Sequence, residues 1–533
     1  MNIAVEIEKL LILAQEKNIL DKMDLIGARN NLLDLLQVAQ PCDGPVSLDD
    51  TDTIPAVLDR MVDYAGQQGQ IDSSIFELRA LFDTRIMGLL MPSPSVIASS
   101  FNRIREQSSI EAATDYFYNL SIDSNYIRMA QIRQNKSWLG ATEYGDLEIT
   151  INLSKPEKDP KAIAMARNQQ DVHYPRCLLC VENVNYAGRI DFPARQTLRL
   201  IPLQLNGDNW YLQYSPYVYY NEHCIVLSER HEPMVINRQT FQAILGFVSQ
   251  FPHYFCGSNA DLPIVGGSIL NHNHFQGGRA AFPMDTAPVL QTFRHQDYPD
   301  VRVDYLYWPL TSLRLTSTSP ESLVDLADHL LGQWRRYSDP AVEIQAESIH
   351  EGQLVPHNTI TPIARQNAQG EFQLDLVLRN NRTTEDLPLG IFHPHPEIHH
   401  IKKENIGLIE VMGLAILPGR LQTELAEIRD ILLGRVAFET IDQPGHTLLK
   451  HLDWIQAMQQ SAVAQQAVAE VLSQKTAGTQ EQPDALDRFL QDEISRKFKT
   501  GLEHCGVFKH NELGNKALGR FMISAGFTVQ NQQ

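Results

Sequence analysis

Residues 266–278 read GGSILNHNHFQGG, and this stretch does most to decide the fold and the chemistry of the chain. Its apolar start predicts a short strand over residues 266–270 that ends in two histidines. In extended backbone every second side chain points to the same face, so His272, His274 and Gln276 are predicted to share one side. The glycines around them allow a bulky ligand to approach the backbone closely.

Two imidazoles and an amide on one face suit chemistry at phosphorus. A neutral imidazole is a competent nucleophile near pH 7, because its unperturbed pKa is ~6.5. We expect one ring nitrogen of His274 to attack while a backbone acceptor holds the other and fixes the tautomer. The amide of Gln276 can then donate to a phosphate oxygen. The alternative is three polar residues on a solvent-facing strand edge.

A cysteine pair, Cys177 and Cys180, has a spacing that lets two thiols share one tetrahedral metal ion. Such a site needs two more ligands, and the candidates are His231, in a polar stretch after a predicted strand, and His272. A metal bound by His272 would brace the strand that presents His274 and would carry no reactive water. The alternative is two ordinary buried cysteines.

Cationic side chains that could hold phosphate occur in three places. The first is a lysine-rich segment with Lys155, Lys158 and Lys161. The second is the pair Lys402 and Lys403, which ends the histidine-rich run 392–403, and the third is Arg420, at the end of the next apolar run. For each of them a solvated loop or an element end is the alternative. The run 392–403, FHPHPEIHHIKK, invites a metal or second-nucleophile interpretation, but no glutamine follows its paired histidines.

Hydrophobic periodicity predicts an α+β fold with helical ends. About the first 130 residues are helical in pattern and contain no constellation of catalytic residue types. Strands are predicted at 146–153, 197–205, 209–215, 223–229, 300–310 and 372–380, with helices at 238–250 and 321–338. We therefore predict a helical region 1–140, two α/β halves built on one plan at 141–290 and 291–420, and a helical region 421–533.

Overall composition excludes several classes of protein. The chain has 533 residues, a formal net charge of −19 and 43% hydrophobic residues, which argues against a general nucleic-acid binder. Its start lacks the basic residues of a signal peptide, and no apolar stretch is long enough to span a bilayer. Six cysteines in so long a chain do not form a disulfide framework. We expect a cytoplasmic protein with reduced thiols and no nucleic-acid or membrane partner.

Segments spread over nearly the whole chain resemble the type 2 galactose-1-phosphate uridylyltransferases. They are residues 145–153, 174–182, 214–229, 266–278, 407–420 and 504–527. That family is similar, more distantly, to the type 1 enzymes and to the histidine-triad superfamily, whose signature is His-Pro-His-Gly-Gln with the second histidine as nucleophile. The resemblance implies two histidine-triad-like halves with antiparallel sheets, flanked by helical extensions.

The same resemblance implies roles for individual residues. His274 would be uridylylated, Gln276 would hold the phosphate, and a structural zinc ion would be bound by Cys177, Cys180, His231 and His272. Lys155 and Lys158 stand where type 1 members use arginines to hold phosphate. Asn273 and Phe275 depart from the Pro and Gly of the signature.

The activity implied is that of galactose metabolism, namely transfer of UMP from UDP-glucose to galactose 1-phosphate. It would be a ping-pong reaction through a uridylyl-histidine, by a homodimer, with no organic cofactor. One alternative is a nucleotide-sugar or dinucleotide phosphorylase or hydrolase of the same superfamily. Another is a zinc-stabilised interaction protein without turnover.

Overall fold

The computed structural model describes residues 2–154, 165, 172–443, 445–473 and 483–529. The candidate phosphate ligands Lys155, Lys158 and Lys161 lie outside these residues. The helices of the described part are α1 (Ile3–Glu16), α2 (Leu25–Leu35), α3 (Ile54–Gln67), α4 (Phe76–Gly88), α5 (Pro94–Gln107), α6 (Ile110–Asp123), α7 (Met129–Ile132), α8 (Arg238–Gln250), α9 (Pro320–Arg336), α10 (Leu408–Val411), α11 (Leu421–Leu432), α12 (Leu452–Gln460), α13 (Ala462–Ser473), α14 (Ala485–Cys505) and α15 (Glu512–Ser524).

Its strands form one large sheet, one small sheet and a hairpin. They are β1 (Lys136–Thr142), β2 (Gly145–Asn152), β3 (Ile201–Leu205), β4 (Asp208–Tyr214), β5 (Cys224–Ser228), β6 (Phe255–Gly257), β7 (His274–Gly278), β8 (Val289–His295), β9 (Arg302–Leu306), β10 (Ser312–Ser317), β11 (Glu347–His350), β12 (Gln353–Pro356), β13 (Asn358–Gln366), β14 (Phe372–Asn380), β15 (Leu414–Pro418) and β16 (Phe527–Val529).

The large sheet contains the same five-stranded plan twice. Its strand order is β16-β8-β9-β10-β14-β13-β6-β7-β5-β4-β3. In each half three strands run in sequence, a helix follows, and the fifth strand then inserts between the third and the fourth. The first half is β3-β4-β5-α8-β6-β7, and the second is β8-β9-β10-α9-β13-β14. This repetition agrees with the expectation of two α/β halves built on one plan.

The two halves join through their equivalent fourth strands. β6 pairs antiparallel with β13, with Gly257 opposite Ile363 and Cys256 opposite Ala364. Because equivalent strands meet antiparallel, an approximate two-fold axis perpendicular to the sheet relates the halves. One apolar core that includes side chains of both α8 and α9 covers one face of the sheet.

Helices α1 to α7 occupy the first 132 residues, as the periodicity predicted. Their starts follow ordinary capping chemistry: the Ser109 hydroxyl accepts from the Ala112 main-chain N–H at 3.1 Å and begins α6. The apolar stripe of α3 is buried against the same core as the sheet. The N-terminal region is therefore packed as part of the body of the protein.

Helices α11 to α14 pack on the opposite face of the sheet, whereas α15 joins the core that contains α8 and α9. On that opposite face, β1 and β2 form a small sheet with β15, which runs parallel to β2. Helix α14 buries one side against this layer, and its Ser495 hydroxyl accepts from the Trp138 indole N–H at 3.1 Å. Within the predicted helical region 421–533, α12 and α13 are separate helices with Ser461 between them.

One predicted strand is wrong. Residues 266–270 form no strand, and the extended segment begins only at His274. A Cβ at Gly266 would lie 2.5 Å from the Ala260 carbonyl oxygen, and one at Gly277 would lie 2.6 Å from that of Phe255. The missing side chains of these glycines therefore make room for the protein's own backbone, whereas we had expected them to make room for a ligand.

The α+β class with antiparallel sheets and helical ends is confirmed. Among the residues that the structure describes, none of the helices is both long enough and apolar enough to cross a membrane.

Candidate active site

The ring of His274 is held by the main chain of the residue two positions before it. His274 begins β7 and is buried, and its Nδ1–H donates to the His272 carbonyl oxygen at 2.8 Å. No described residue forms a hydrogen bond with the other ring nitrogen, Nε2. Burial lowers the pKa of this imidazole to about 4. The ring therefore has a fixed tautomer, and its Nε2 lone pair is not used by a described residue.

Gln276 follows on the same face of β7 and is paired with a histidine that the sequence analysis did not select. The His223 Nε2–H donates to the Gln276 amide oxygen, Oε1, over 3.2 Å. His223 stands directly before β5, the strand that pairs with β7 and sets Ile225 opposite Gln276. The only sequence signal was a histidine at the start of a predicted strand, which is too common a pattern to single out this residue.

Aromatic rings hold His223 in place. Tyr219 stacks on its imidazole with ring centroids 5.4 Å apart, and Tyr220 lies on it at 4.5 Å. The Tyr220 hydroxyl donates to the Gly277 carbonyl oxygen at 3.2 Å, which ties this turn to the strand that contains Gln276. The position of His223 relative to the amide is thus set by packing.

The four candidate metal ligands meet beside the base of β7. The Cys177 sulfur lies 3.4 Å from the Cys180 sulfur and 3.3 Å from His272 Nδ1, and the Cys180 sulfur lies 3.1 Å from His231 Nδ1. All four donor atoms lie within 4.8 Å of one another. The structure therefore brings together residues separated by up to 95 positions in the sequence.

This group fits a tetrahedral zinc ion. Zinc–sulfur and zinc–nitrogen bonds of about 2.3 and 2.0 Å put tetrahedral ligand atoms about 3.3–3.8 Å apart, close to the separations observed. The His272 Nε2–H donates to the Ser228 carbonyl oxygen at 2.9 Å, which leaves Nδ1 free to bind a metal. His272 thus has two functions, since its ring faces the metal group and its carbonyl orients His274.

The described cationic candidates differ in their surroundings. Lys402 is buried with its Nζ 2.6 Å from Glu410 Oε1; burial lowers its pKa, but the carboxylate outweighs this and the pKa is raised. Arg420 donates to the His400 carbonyl oxygen at 3.2 Å and to Glu424 Oε2 at 2.6 Å. Lys403 is exposed and lines an apolar groove of about 370 Å³. Lys402 and Arg420 are thus already paired with a carboxylate, and Lys403 has the most accessible ammonium group.

The histidine-rich run contributes His395 and Glu397 to a second group of potential metal ligands, and His504 of α14 is its third member. Its hydrogen bonds do not favour a metal. The His395 main-chain N–H donates to His504 Nδ1 at 3.2 Å, so in the neutral ring the proton sits on Nε2, which faces Glu397 at 3.3 Å. A nitrogen that carries a proton has no lone pair for a metal ion.

Comparison with known proteins places this geometry in a family. Residues 19–233 match the model of the galactose-1-phosphate uridyl transferase N-terminal domain, and residues 247–443 match that of the C-terminal domain. The chain belongs to the galactose-1-phosphate uridylyltransferase family.

Relatives of the family align with almost the full chain. A galactose-1-phosphate uridylyltransferase of Caldanaerobacter subterraneus is 51% identical over 525 residues, which cover 98% of each chain. Those of Clostridium acetobutylicum and Bacillus subtilis are 47% and 43% identical, covering 97% and 99% of this chain and 99% and 98% of theirs. These matches confirm the resemblance and the prediction that the protein is an enzyme, a nucleotidyltransferase.

Proposed function

We propose that this galactose-1-phosphate uridylyltransferase family member transfers UMP from UDP-glucose to galactose 1-phosphate through a uridylyl group on His274. The observation that carries the proposal is the ring of His274, with Nδ1–H bonded to the His272 carbonyl and Nε2 without a partner among the described residues. An imidazole held in this way presents one nitrogen lone pair in a fixed direction.

The reaction consists of two balanced displacements at phosphorus. In the first, the Nε2 lone pair of His274 attacks the α-phosphorus of UDP-glucose, an N–P bond forms, and the bond to the bridging oxygen breaks to release glucose 1-phosphate. In the second, a phosphate oxygen of galactose 1-phosphate attacks the same phosphorus, and the N–P bond breaks to regenerate the imidazole. Both steps exchange similar bonds, so the reaction is reversible and ping-pong.

Two groups of the protein stabilise charge during these steps. The positive charge that develops on the His274 ring is stabilised by the His272 carbonyl oxygen, which accepts the hydrogen bond from Nδ1–H. The amide NH2 of Gln276 donates to a non-bridging phosphate oxygen. Lys403 is the accessible described candidate for the phosphate of the second substrate; Lys155, Lys158, Lys402 and Arg420 stay predictions.

We further propose that Cys177, Cys180, His231 and His272 hold a structural zinc ion. When bound, it supplies rigidity to the segment before β7 and no Lewis-acid chemistry. The support is the close approach of the four donor atoms and the Ser228 acceptor on His272 Nε2. We also propose that the protein is cytoplasmic and forms a homodimer. Light scattering during size-exclusion chromatography tests the dimer.

The decisive experiment is intact-protein mass spectrometry after mixing with UDP-glucose and no acceptor. The wild-type protein is expected to gain one uridylyl group, and adding galactose 1-phosphate should remove it and yield UDP-galactose. His274→Ala should gain no mass and lose exchange while keeping its fold by circular dichroism. Wild-type protein that exchanges labelled hexose 1-phosphate without ever gaining the adduct would disprove the mechanism; free UMP without exchange would identify a hydrolase instead.

A further inference from the structure

His223 occupies a place that the transfer step itself does not require. It stands before β5, is buried, and forms its one ring hydrogen bond among the described residues with Gln276 Oε1 at 3.2 Å. Its other nitrogen, Nδ1, is buried and has no partner there. The rings of Tyr219 and Tyr220 both pack against its imidazole. Aromatic packing thus fixes an imidazole that has only one hydrogen bond among the described residues. This indicates that the position of His223 serves to orient the side-chain amide of Gln276.

An amide side chain can present either its oxygen or its NH2 in a given direction, and only NH2 can donate to a phosphate. Here His223 faces the oxygen of Gln276, which turns the NH2 away from the histidine. We propose that His223 is a positioning residue for uridylyl transfer, which fixes the amide of Gln276 with its NH2 toward the substrate phosphate. This inference rests on the proposed function of His274.

The tautomer of His223 supports this assignment. Burial lowers the pKa of its ring to about 3, so the imidazole is neutral and has one N–H. If the Gln276 amide were flipped, its NH2 would face Nε2 and the proton would have to move to Nδ1. That N–H would be buried without an acceptor, and orphaned buried donors are rarer than orphaned buried acceptors. The observed arrangement is therefore the favoured one.

The turn that holds His223 is itself anchored on several sides. The carboxylate of Glu222 accepts a hydrogen bond from the Tyr254 hydroxyl and lies 3.1 Å from Arg279 Nε. Arg279 follows β7 directly and also donates to Asp115 of α6 at 2.8 Å. The end of the strand that carries Gln276 and the turn that carries His223 are thus tied to each other by an ion pair.

A double-mutant cycle tests the proposal by measuring the single-turnover rate of His274 uridylylation with UDP-glucose. His223→Phe keeps a flat ring against the tyrosines but removes the donor, and is expected to slow the step about tenfold with little change in the UDP-glucose concentration that gives the half-maximal rate. In the Gln276→Ala background the same change should cost less than twofold. His223→Gln, whose amide N–H reaches the position of Nε2, should restore most of the rate.

The matched control is His357→Phe. His357 is also buried and bonded to a side-chain amide, Asn381 Oδ1 at 2.8 Å, but it precedes β13 in the other half of the sheet. We expect its rate to match wild type. Equal losses from His223→Phe in both backgrounds, or no loss in either, would overturn the proposal.

A second variant leaves His223 untouched in case His223→Phe does not fold. Gln276→Glu keeps an acceptor for His223 but turns a carboxylate oxygen toward the phosphate, so it should be slower than Gln276→Ala. A rate equal to wild type would show that the NH2 of Gln276 does not face the phosphate. Failure of the wild-type protein itself to be uridylylated would refute the proposed function, an outcome distinct from an additive cycle.

Discussion

Asp375 lies at the centre of a buried ion cluster in the second half of the sheet, and its replacement tests how far that cluster stabilises the fold. Its Oδ1 accepts from Arg314 Nε at 2.7 Å, and its Oδ2 accepts from Arg314 Nη2 at 2.9 Å and Arg365 Nη1 at 2.7 Å. The carboxylate is 0% exposed. Three charged hydrogen bonds therefore converge on one side chain on β14.

Asp375→Ala would leave the two arginines unevenly compensated. Arg365 keeps the carboxylate of Asp285 at 2.8 Å, whereas Arg314 keeps only main-chain carbonyl acceptors. Breaking a buried ion pair by removing one partner costs about 3–5 kcal/mol. Since the entropy of unfolding grows with chain length, 1 kcal/mol shifts Tm by about 1 °C in a protein of this size. We expect Tm to fall by about 3–5 °C.

Differential scanning calorimetry of Asp375→Ala, with Glu512→Ala as the control, measures this. Glu512 pairs with Lys516 at 2.5 Å on the exposed face of α15, where such pairs contribute about 0–1 kcal/mol. Equal shifts in the two variants would refute the argument from burial. Burial raises the pKa of Asp375, but the arginines outweigh it and lower the pKa to about 2 from 3.8. The carboxylate therefore stabilises the fold above about pH 4, and this contribution is lost as the pH falls toward 2.

Three further predictions concern the metal group, the glycines and the buried histidines. Replacing both Cys177 and Cys180 by Ser should remove zinc as measured by plasma mass spectrometry and lower Tm, whereas Cys42→Ser, outside the group, should change neither; wild-type protein without zinc would refute this. Gly277→Ala should cost about 1–3 kcal/mol, because its Cβ would lie 2.6 Å from a carbonyl oxygen, whereas Gly246→Ala in open space on α8 should slightly stabilise, as denaturant unfolding would reveal. The Nδ1 atoms of His400 and His451 lie 2.7 Å apart, beside Glu424, Arg420 and Lys450, and burial lowers the pKa of both rings. The folded state therefore binds fewer protons than the unfolded state, so Tm should fall as the pH drops below about 6.5. The fall should be smaller in His400→Gln.

The parts of the fold that follow from local pattern were predicted from the sequence. Helix α8 spans the predicted residues 238–250, because an amphipathic run follows a capping asparagine, Asn237. Strand β14 matches the predicted 372–380, where apolar residues alternate. The predicted strand at 266–270 was wrong because its apolar residues belong to a loop whose glycines pack against the Ala260 and Asn259 region. An apolar run alone does not distinguish a strand from a tightly packed loop.

The parts of the site that depend on strand register could not be predicted. The contact between His223 and Gln276 joins residues 53 positions apart and exists only because β5 and β7 pair with Ile225 opposite Gln276. Candidate residue types are visible in the sequence, whereas their partners depend on the packing of elements far apart in the chain.

Equivalent strands in the two halves of the duplicated sheet differ in how their polar side chains are bonded. β7 and β14 hold equivalent places, and both turn apolar side chains toward the core that α8 and α9 cover, through Phe275 in one and Leu374 in the other. The opposite face carries His274 on β7 and Asp375 on β14. Both oxygens of Asp375 are bonded to arginines of their own half, whereas Nε2 of His274 has no partner among the described residues. A polar atom saturated within the fold stabilises it, and only an unsaturated one is available to a substrate. This difference in bonding supports our proposal that the reacting nitrogen belongs to the first half, while β13 of the second half pairs with β6, the neighbour of β7.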